Sequence, residues 1–393
     1  AVAARVRRPH RAMTMPRPRL AVLSHSAIEP SYQRKWAQVA AAGFTVRLYL
    51  PDRWPETGRW IRAKPSSAGN LFVEVLSAVW PGRVARWFPR GFKAALGGFR
   101  PDLVLAEEEP YGLACAVAAR AAAGLRVPFI FYTWENLVRG YRWPQGRLIR
   151  AVTARAAGAI AGNRDGLAVL RRWKLRGGTA VIPQYGVDGR MFRPQPAATC
   201  RRRLGWTLRG PVIGFVGRLL PEKGIETLLA AAARLPKTVR VVIVGNGPHA
   251  AALRGLAAPL RDRIRFMPAV PRARIPDVLG ALDVLVLPSR TTPAWKEQFG
   301  RILAEAHACG RWAVGSDSGE IPHVLGSRRF VFPEGDATAL ARRIRPLLAR
   351  RAPASIRRRV LARFSEQAVA GATAGFLRRI LARRHAGAGP SAG

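Results

Sequence analysis

The sequence predicts an α/β protein built from two Rossmann-like, doubly wound domains that face each other across a cleft. Three observations predict it. At 393 residues the chain exceeds one typical domain. Short apolar runs alternate with helical stretches, as parallel sheets flanked by helices require. The same pattern then restarts near Val212, after a basic stretch interrupted by prolines.

In the first half, Leu20–Leu23, Thr45–Leu50, Leu103–Ala106, Phe129–Tyr132 and Gly158–Ala161 read as buried strands, and Gly112–Ala123 as an Ala-rich helix between two of them. In the second half, Val212–Val216, Arg240–Val244, Ile264–Met267, Val284–Leu287 and Trp312–Gly315 read the same way. These runs divide the chain into a first domain over 19–192, a linker over 193–211 and a second domain over 212–365. The segment 366–393 reads as a C-terminal helix with a frayed Gly/Ala/Pro/Ser tip. Residues 1–18 are basic and lack an apolar core, so they read as a disordered extension and not as a secretory signal. In a pair of such domains, ligands are expected at the carboxyl ends of the strands.

Hydrophobic residues make up 49% of the chain, ample for two cores and against wholesale disorder. The formal charge is +43, from 66 basic and 23 acidic residues, and only seven of the basic ones are Lys. Such a surplus fits either a solvated Arg-rich surface or a polyanionic partner, and charge alone does not choose between them. Cys115, Cys200 and Cys309 are widely spaced and odd in number, which points to a reducing compartment and away from a disulfide framework. No apolar run approaches the ~18 residues that span a bilayer.

The most informative segment runs from Pro288 to Gly310. A buried strand ends at Pro288, a loop carries Glu297-Gln298-Phe299-Gly300, and a helix follows with Glu305 inside it. N–H groups at Phe299, Gly300 and Arg301 would cradle a pyrophosphate at the helix start. Glu305 lies about 9 Å along the axis from Phe299 at ~1.5 Å per residue. One carboxylate thus stands on each side of the anion, able to accept from sugar hydroxyls. Taken alone, Glu305 between two alanines also reads as a solvent-facing helix residue. Upstream, Gly214-Phe215-Val216-Gly217-Arg218 through Pro221-Glu222-Lys223-Gly224 sets two cations on a glycine-punctuated loop after a buried strand. That arrangement suits a phosphate clamp.

Together these segments resemble the signature of the family 4 retaining glycosyltransferases, the bacterial group 1 type with a GT-B fold. Val244-Gly245-Asn246-Gly247-Pro248, Ala281-Leu282-Asp283-Val284 and Ser316 through Pro322 stand in family order, as does Ile182-Pro183-Gln184-Tyr185-Gly186-Val187-Asp188. The resemblance covers roughly residues 18–365 and is strongest in the second half. It implies that Glu297 approaches the donor sugar, that Glu305 with Gly217, Phe299, Gly300 and Arg301 holds the nucleotide, and that Arg218 and Lys223 clamp the diphosphate. The donor is then a nucleoside-diphosphate sugar, with no metal and no further cofactor expected. The acceptor is a hydroxyl on a glycan, a lipid-linked molecule or a small molecule, as in cell-envelope polysaccharide synthesis. The last helix is expected to return to the first domain.

The acceptor side departs from the family. Where many members carry a Gly-Gly loop this chain reads Ser24-His25-Ser26, and where many carry a His it reads Thr133-Trp134-Glu135-Asn136. Glu135, Glu109 (within Glu107-Glu108-Glu109) and His25 are therefore candidates for handling the acceptor hydroxyl, each equally readable as solvated loop. Gly245-Asn246-Gly247 with Ala250 matches a dinucleotide fingerprint, but it sits on the second strand of its domain without the expected acid downstream. A turn and packing role fits it better. No D-x-D pair, H-E-x-x-H pair or Walker loop is present. The stretch Trp80–Lys93 interleaves aromatics with cations, which suits an anionic membrane surface or a core helix with Arg outside. The expected protein is cytoplasmic, or peripheral on the inner face of the membrane, and nucleic acid is not an expected partner. Two other classes remain open at this point: a membrane- or polyanion-binding protein of this fold without catalysis, and a nicotinamide-dependent oxidoreductase.

Overall fold

The computed structural model describes residues 16–56 and 59–387. The expected N-terminal extension lies outside the described residues up to position 15, as does the tip from position 388. Within that extension Pro18 is described, and its carbonyl accepts from Thr45 N next to the first strand.

The first sheet has eight strands in the spatial order Gly178–Val181, Gly158–Ala161, Phe129–Thr133, Leu103–Ala106, Arg19–Leu23, Thr45–Pro51, Leu71–Leu76, Ser66–Ala68. All pairings are parallel except the last, between Leu71–Leu76 and Ser66–Ala68. The second sheet has six parallel strands: Ile264–Met267, Arg240–Val244, Val212–Val216, Val284–Leu287, Trp312–Ser316, Val331–Phe332. The central strands are continuous apolar runs because helices cover both faces, which leaves no solvated side to alternate with. Strand order reverses beside Arg19–Leu23 in one sheet and beside Val212–Val216 in the other. Each reversal opens a crevice at the strands' carboxyl ends. The loops carrying His25 and Glu107–Glu109 lie at the first crevice, and those carrying Arg218 and Glu297 at the second.

The stretch read as a linker is part of the second domain. Ala197–Arg203 forms a helix against Ile275–Ala281, with Cys200 buried beneath Gly280, where a Cβ would meet Sγ at 2.5 Å. Arg201 ties it down through Asp283 at 3.1 Å. The basic composition of the segment reflects its outer face and not an extended connector.

The final helix, Glu366–Gly387, crosses back and packs on the helix Pro30–Ala41. Val369, Phe376, Leu377 and Ile380 share a core with Leu20, Val22 and Ile130. Between the domains, Gly186 passes so close to Ser365 and Glu366 that a Cβ would meet backbone at 2.5 Å.

Trp80–Lys93 is not one helix. It begins in the turn between the short paired strands Ala78–Val79 and Phe88–Pro89, and ends in the start of the helix Phe92–Phe99. Trp87 is completely buried, its Nε1 donating to Glu108 at 3.1 Å, so it presents nothing to a membrane. Trp80, by contrast, is exposed.

Candidate active site

The donor-side residues come from three loops of the second sheet. After Val212–Val216, Gly217, which the resemblance places at the nucleotide, donates its N–H to Val244 O at 3.0 Å. Gly245 and Gly247 lie directly under this loop: a Cβ on either would fall within 1.8 Å of Gly217 O or 2.1 Å of Leu219 O. The glycine fingerprint is therefore consumed by backbone packing, and the oxidoreductase reading loses its one supporting feature. The Arg218 side chain is exposed and has no ion pair or hydrogen bond among the described residues.

Lys223 lies across the crevice, its Nζ 2.8 Å from Glu297 Oε2 and 4.5 Å from the centre of the Trp295 ring. Ser289 Oγ donates to the same Oε2 at 2.8 Å. Glu305 is buried inside the helix Arg301–Ala308, and two guanidinium groups hold its Oε1: Arg301 Nε at 2.9 Å and Arg272 at 3.2 Å. The solvent-facing alternative for Glu305 is thus excluded. Both glutamates share a design. One oxygen is anchored, in Glu297 by Lys223 and the Ser289 hydroxyl and in Glu305 by two guanidinium groups, and the other has no hydrogen bond among the described residues. The anchored oxygen fixes the carboxylate, and the second is left to accept from hydroxyls.

Between them, the N–H groups of Phe299, Gly300 and Arg301 have no protein acceptor among the described residues. Gly300 adopts φ 75°, the left-handed conformation that turns the chain into the helix here. Gly319, at φ 53°, runs so close behind Glu297 that a Cβ would meet its carbonyl at 2.0 Å, and Glu320 N donates to that carbonyl at 3.2 Å.

On the acceptor side the structure brings His25 onto Glu108, binds Glu135 within its own loop and ties Glu109 to that same loop from the neighbouring one. His25 Nδ1 lies 2.8 Å from Glu108, its backbone N–H donates to the same carboxylate at 2.7 Å, and its ring packs on Trp54. Since an ionised carboxylate only accepts, Nδ1 carries the proton of this contact. Glu109 accepts from Thr133 Oγ1 and from Trp134 N, both at 2.7 Å. Burial is the main cause that pushes its carboxyl up to about 7, against those two hydrogen bonds. Glu135 accepts from Leu137 N at 3.2 Å and Tyr141 OH at 2.5 Å. Glu107 is buried between Lys35 Nζ at 3.0 Å and Ser24 Oγ at 2.8 Å.

Sequence reading missed Arg272 and Ser289, which anchor the two glutamates from 33 and 8 positions away. Neither sits at a spacing that marks it. It also missed Tyr32 and Tyr185, whose rings stack at 3.9 Å with the Arg301 guanidinium about 6 Å from both.

Residues 198–368 match the family model described as "Glycosyl transferases group 1". The D-inositol 3-phosphate glycosyltransferase of Mycobacterium leprae is 37% identical over 152 residues, covering 36% of this chain and 33% of that protein. The protein of the same name from Acidothermus cellulolyticus is 38% identical over 154 residues, 35% of this chain and 33% of that one. The match thus spans about a third of these curated relatives. Over the whole chain, the sucrose-phosphate synthase of Thermosynechococcus elongatus superposes with a TM-score of 0.70 at 22% identity, covering 93% of this chain and 100% of that one. Anabaena HepE in complex with UDP gives 0.68 at 20% identity, covering 92% and 100%. Residues 198–368 are thus similar to the group 1 glycosyltransferases, and the chain as a whole has the two-domain GT-B fold.

Proposed function

We propose that the chain transfers a sugar from a nucleoside-diphosphate donor to a hydroxyl acceptor, retaining the anomeric configuration and using no metal ion. The observation that carries this reading is the pair of half-anchored carboxylates, Glu297 and Glu305, flanking a helix start whose N–H groups have no protein acceptor.

The barrier lies in breaking the bond between the anomeric carbon and the diphosphate. Positive charge grows on the sugar ring and negative charge on the leaving group. Arg218, Lys223 and the N–H groups at Phe299–Arg301 meet the negative charge, and such preorganised groups are typically worth ~3 kcal/mol each. Lys223 is held by Glu297 in this structure, so engaging the diphosphate means sharing that cation. Glu297 would then turn its unbonded oxygen to the sugar hydroxyls, and Glu305 would take the ribose.

On the acceptor side His25 is the proposed group for the hydroxyl, its ring oriented by Glu108 through Nδ1. The Anabaena structures with UDP and UDP-glucose support a uridine-linked hexose as donor. The names of the sequence relatives support a phosphorylated polyol as acceptor.

The proposed place of work is the cytoplasm, peripherally on the inner face of an anionic membrane. No helix among the described residues is long and apolar enough to cross a membrane. Six of the seven large hydrophobics that are exposed among the described residues lie in the first domain. Two of them, Val138 and Trp143, sit in a segment with six Arg and no acid between Asn136 and Arg164.

The test is a screen of nucleotide sugars against hydroxyl acceptors, read by release of nucleoside diphosphate with EDTA present. Release with one preferred donor, and a product of unchanged anomeric configuration, is expected. A strict need for added divalent metal, or inverted product, would overturn the corresponding part.

A further inference from the structure

Several of the polar contacts that cross the cleft reach one short segment, Ala294–Gln298, which carries Glu297, while Arg164 N crosses separately to Glu320 Oε2 at 2.9 Å. Asn136 Nδ2 donates to Lys296 O at 3.1 Å and lies 3.5 Å from Glu297 O. Arg139 donates to Ala294 O at 2.6 Å. In the other direction Gln298 Nε2 donates to Trp134 O at 3.0 Å. Lys296 Nζ pairs with Asp165 of the first domain at 2.9 Å. Within its own domain the segment is held at Trp295, whose N–H donates to Thr292, and at Glu297, whose carbonyl accepts from Glu320 N, but among the described residues the carbonyls of Ala294 and Lys296 accept only from side chains of the first domain.

The gripping loop is itself fixed. Glu109 holds its first residues through Thr133 Oγ1 and Trp134 N, and Glu135 closes it on Leu137 N and Tyr141. Asn136, 7% exposed, is thus presented from a preformed turn. A carbonyl that loses a buried donor must find water or move, so removing the Asn136 amide would loosen the backbone at Lys296, one residue before Glu297.

We infer that Asn136 of the first domain is a positioning residue for Glu297, acting from across the cleft through the Lys296 carbonyl next to it. The inference rests on the role proposed above for Glu297. It assigns the Thr133–Arg139 loop a task beyond acceptor binding. Nucleotide binding, which needs Glu305 and the helix start, does not pass through this loop. Recognition of the sugar does.

The test uses the full chain with Asn136→Ala and Asn136→Asp, the latter keeping the shape but removing the donor. Calorimetry compares UDP with UDP-glucose and GDP with GDP-mannose, using whichever pair the wild-type chain binds. Affinity for the bare nucleotide is expected to stay within about twofold. The extra affinity conferred by the sugar should be lost in both variants, and kcat should fall by about ten- to a hundredfold, the scale of a displaced reacting group. An unchanged sugar increment with unchanged kcat overturns the inference. So does an equal loss of affinity for the bare nucleotide, which marks a merely structural residue. A wild-type chain that binds no nucleoside diphosphate overturns the proposed function itself, a separate and recognisable outcome.

Discussion

The two crevices hold similar numbers of charged side chains and use them in opposite ways. At the second sheet the groups have open ends: an exposed Arg218, unclaimed N–H groups at Phe299–Arg301, and one oxygen each of Glu297 and Glu305 without a partner among the described residues. At the first sheet the carboxylates are occupied. Glu107 is spent on Lys35 and Ser24, Glu108 on His25 and Trp87, Glu109 on Thr133 and Trp134, and Glu135 on Leu137 and Tyr141. Glu109 and Glu135 stood on equal terms with His25 as sequence candidates, yet they serve as struts of the loop that grips Glu297. An acidic cluster beside a crevice is not by itself a substrate site, because what matters is whether its lone pairs are already taken.

The comparison is broken most forcefully by exchanging one member from each side. Glu107→Gln should leave Lys35 buried with its charge unpaired, costing about 3–5 kcal/mol of stability. Its signature is a large drop in melting temperature, with nucleotide affinity retained at a temperature where the variant is folded. Arg218→Ala should do the reverse. The exposed side chain contributes little to folding, but its absence from the transition state should lower turnover by about 100- to 1,000-fold. A variant of Arg218 that keeps near-normal turnover, or a Glu107→Gln variant with an unmoved melting curve, would erase the distinction between open and occupied crevices.

The same contrast explains what the sequence disclosed. Val212–Val216 and Val284–Leu287 are covered on both faces and read as unbroken apolar runs, and the helix Arg301–Ala308 begins at a glycine that announces it. The strand Leu71–Leu76 escaped notice because it lies near the sheet edge, with Phe72 exposed and Glu74 pairing outward with Arg47. Trp87 looked like a membrane anchor because its neighbours are cationic, whereas its direction is set by Glu108, 21 positions away. Asn136 had no local mark at all, since its partner is 160 positions distant. Motifs carry contacts to ligands well. Contacts between domains leave no periodicity to read.

A smaller effect sharpens the picture of Glu109 as a strut. Its carboxyl is raised from the usual 4.5 to about 7 in the folded chain, chiefly by burial. Between those values the folded state holds a proton that the unfolded state has released. Stability therefore falls as pH climbs through this window and levels off above it. Glu109→Gln cannot ionise, so the melting temperature of the wild type relative to the variant should decline from pH 5 to pH 8. A difference between the two that is flat with pH would mean that Glu109 ionises as freely folded as unfolded.

The smallest expected effect concerns the outer surface, where the two domains also differ. Leu256 is the one large hydrophobic exposed on the second domain among the described residues, whereas the first exposes Trp60, Trp80, Val84, Val138, Trp143 and Phe72. Trp143, 79% exposed, belongs to the segment that continues from the cleft loop, with Arg139, Arg142 and Arg147 around it in sequence. Arginines are drawn to an anionic surface in a way salt screens, and an inserted indole adds an apolar term that salt leaves intact. Burying that ring is worth about 1–2 kcal/mol, so Trp143→Ala should weaken partition onto phosphatidylglycerol-containing vesicles by roughly tenfold. The loss should persist at high salt, with melting temperature and nucleotide affinity unchanged because the ring packs against little of its own protein. Trp87→Ala, in contrast, should act through folding alone. Equal partition of wild type and Trp143→Ala, or equal binding to neutral and anionic vesicles, would leave the first domain's exposed aromatics as ordinary surface.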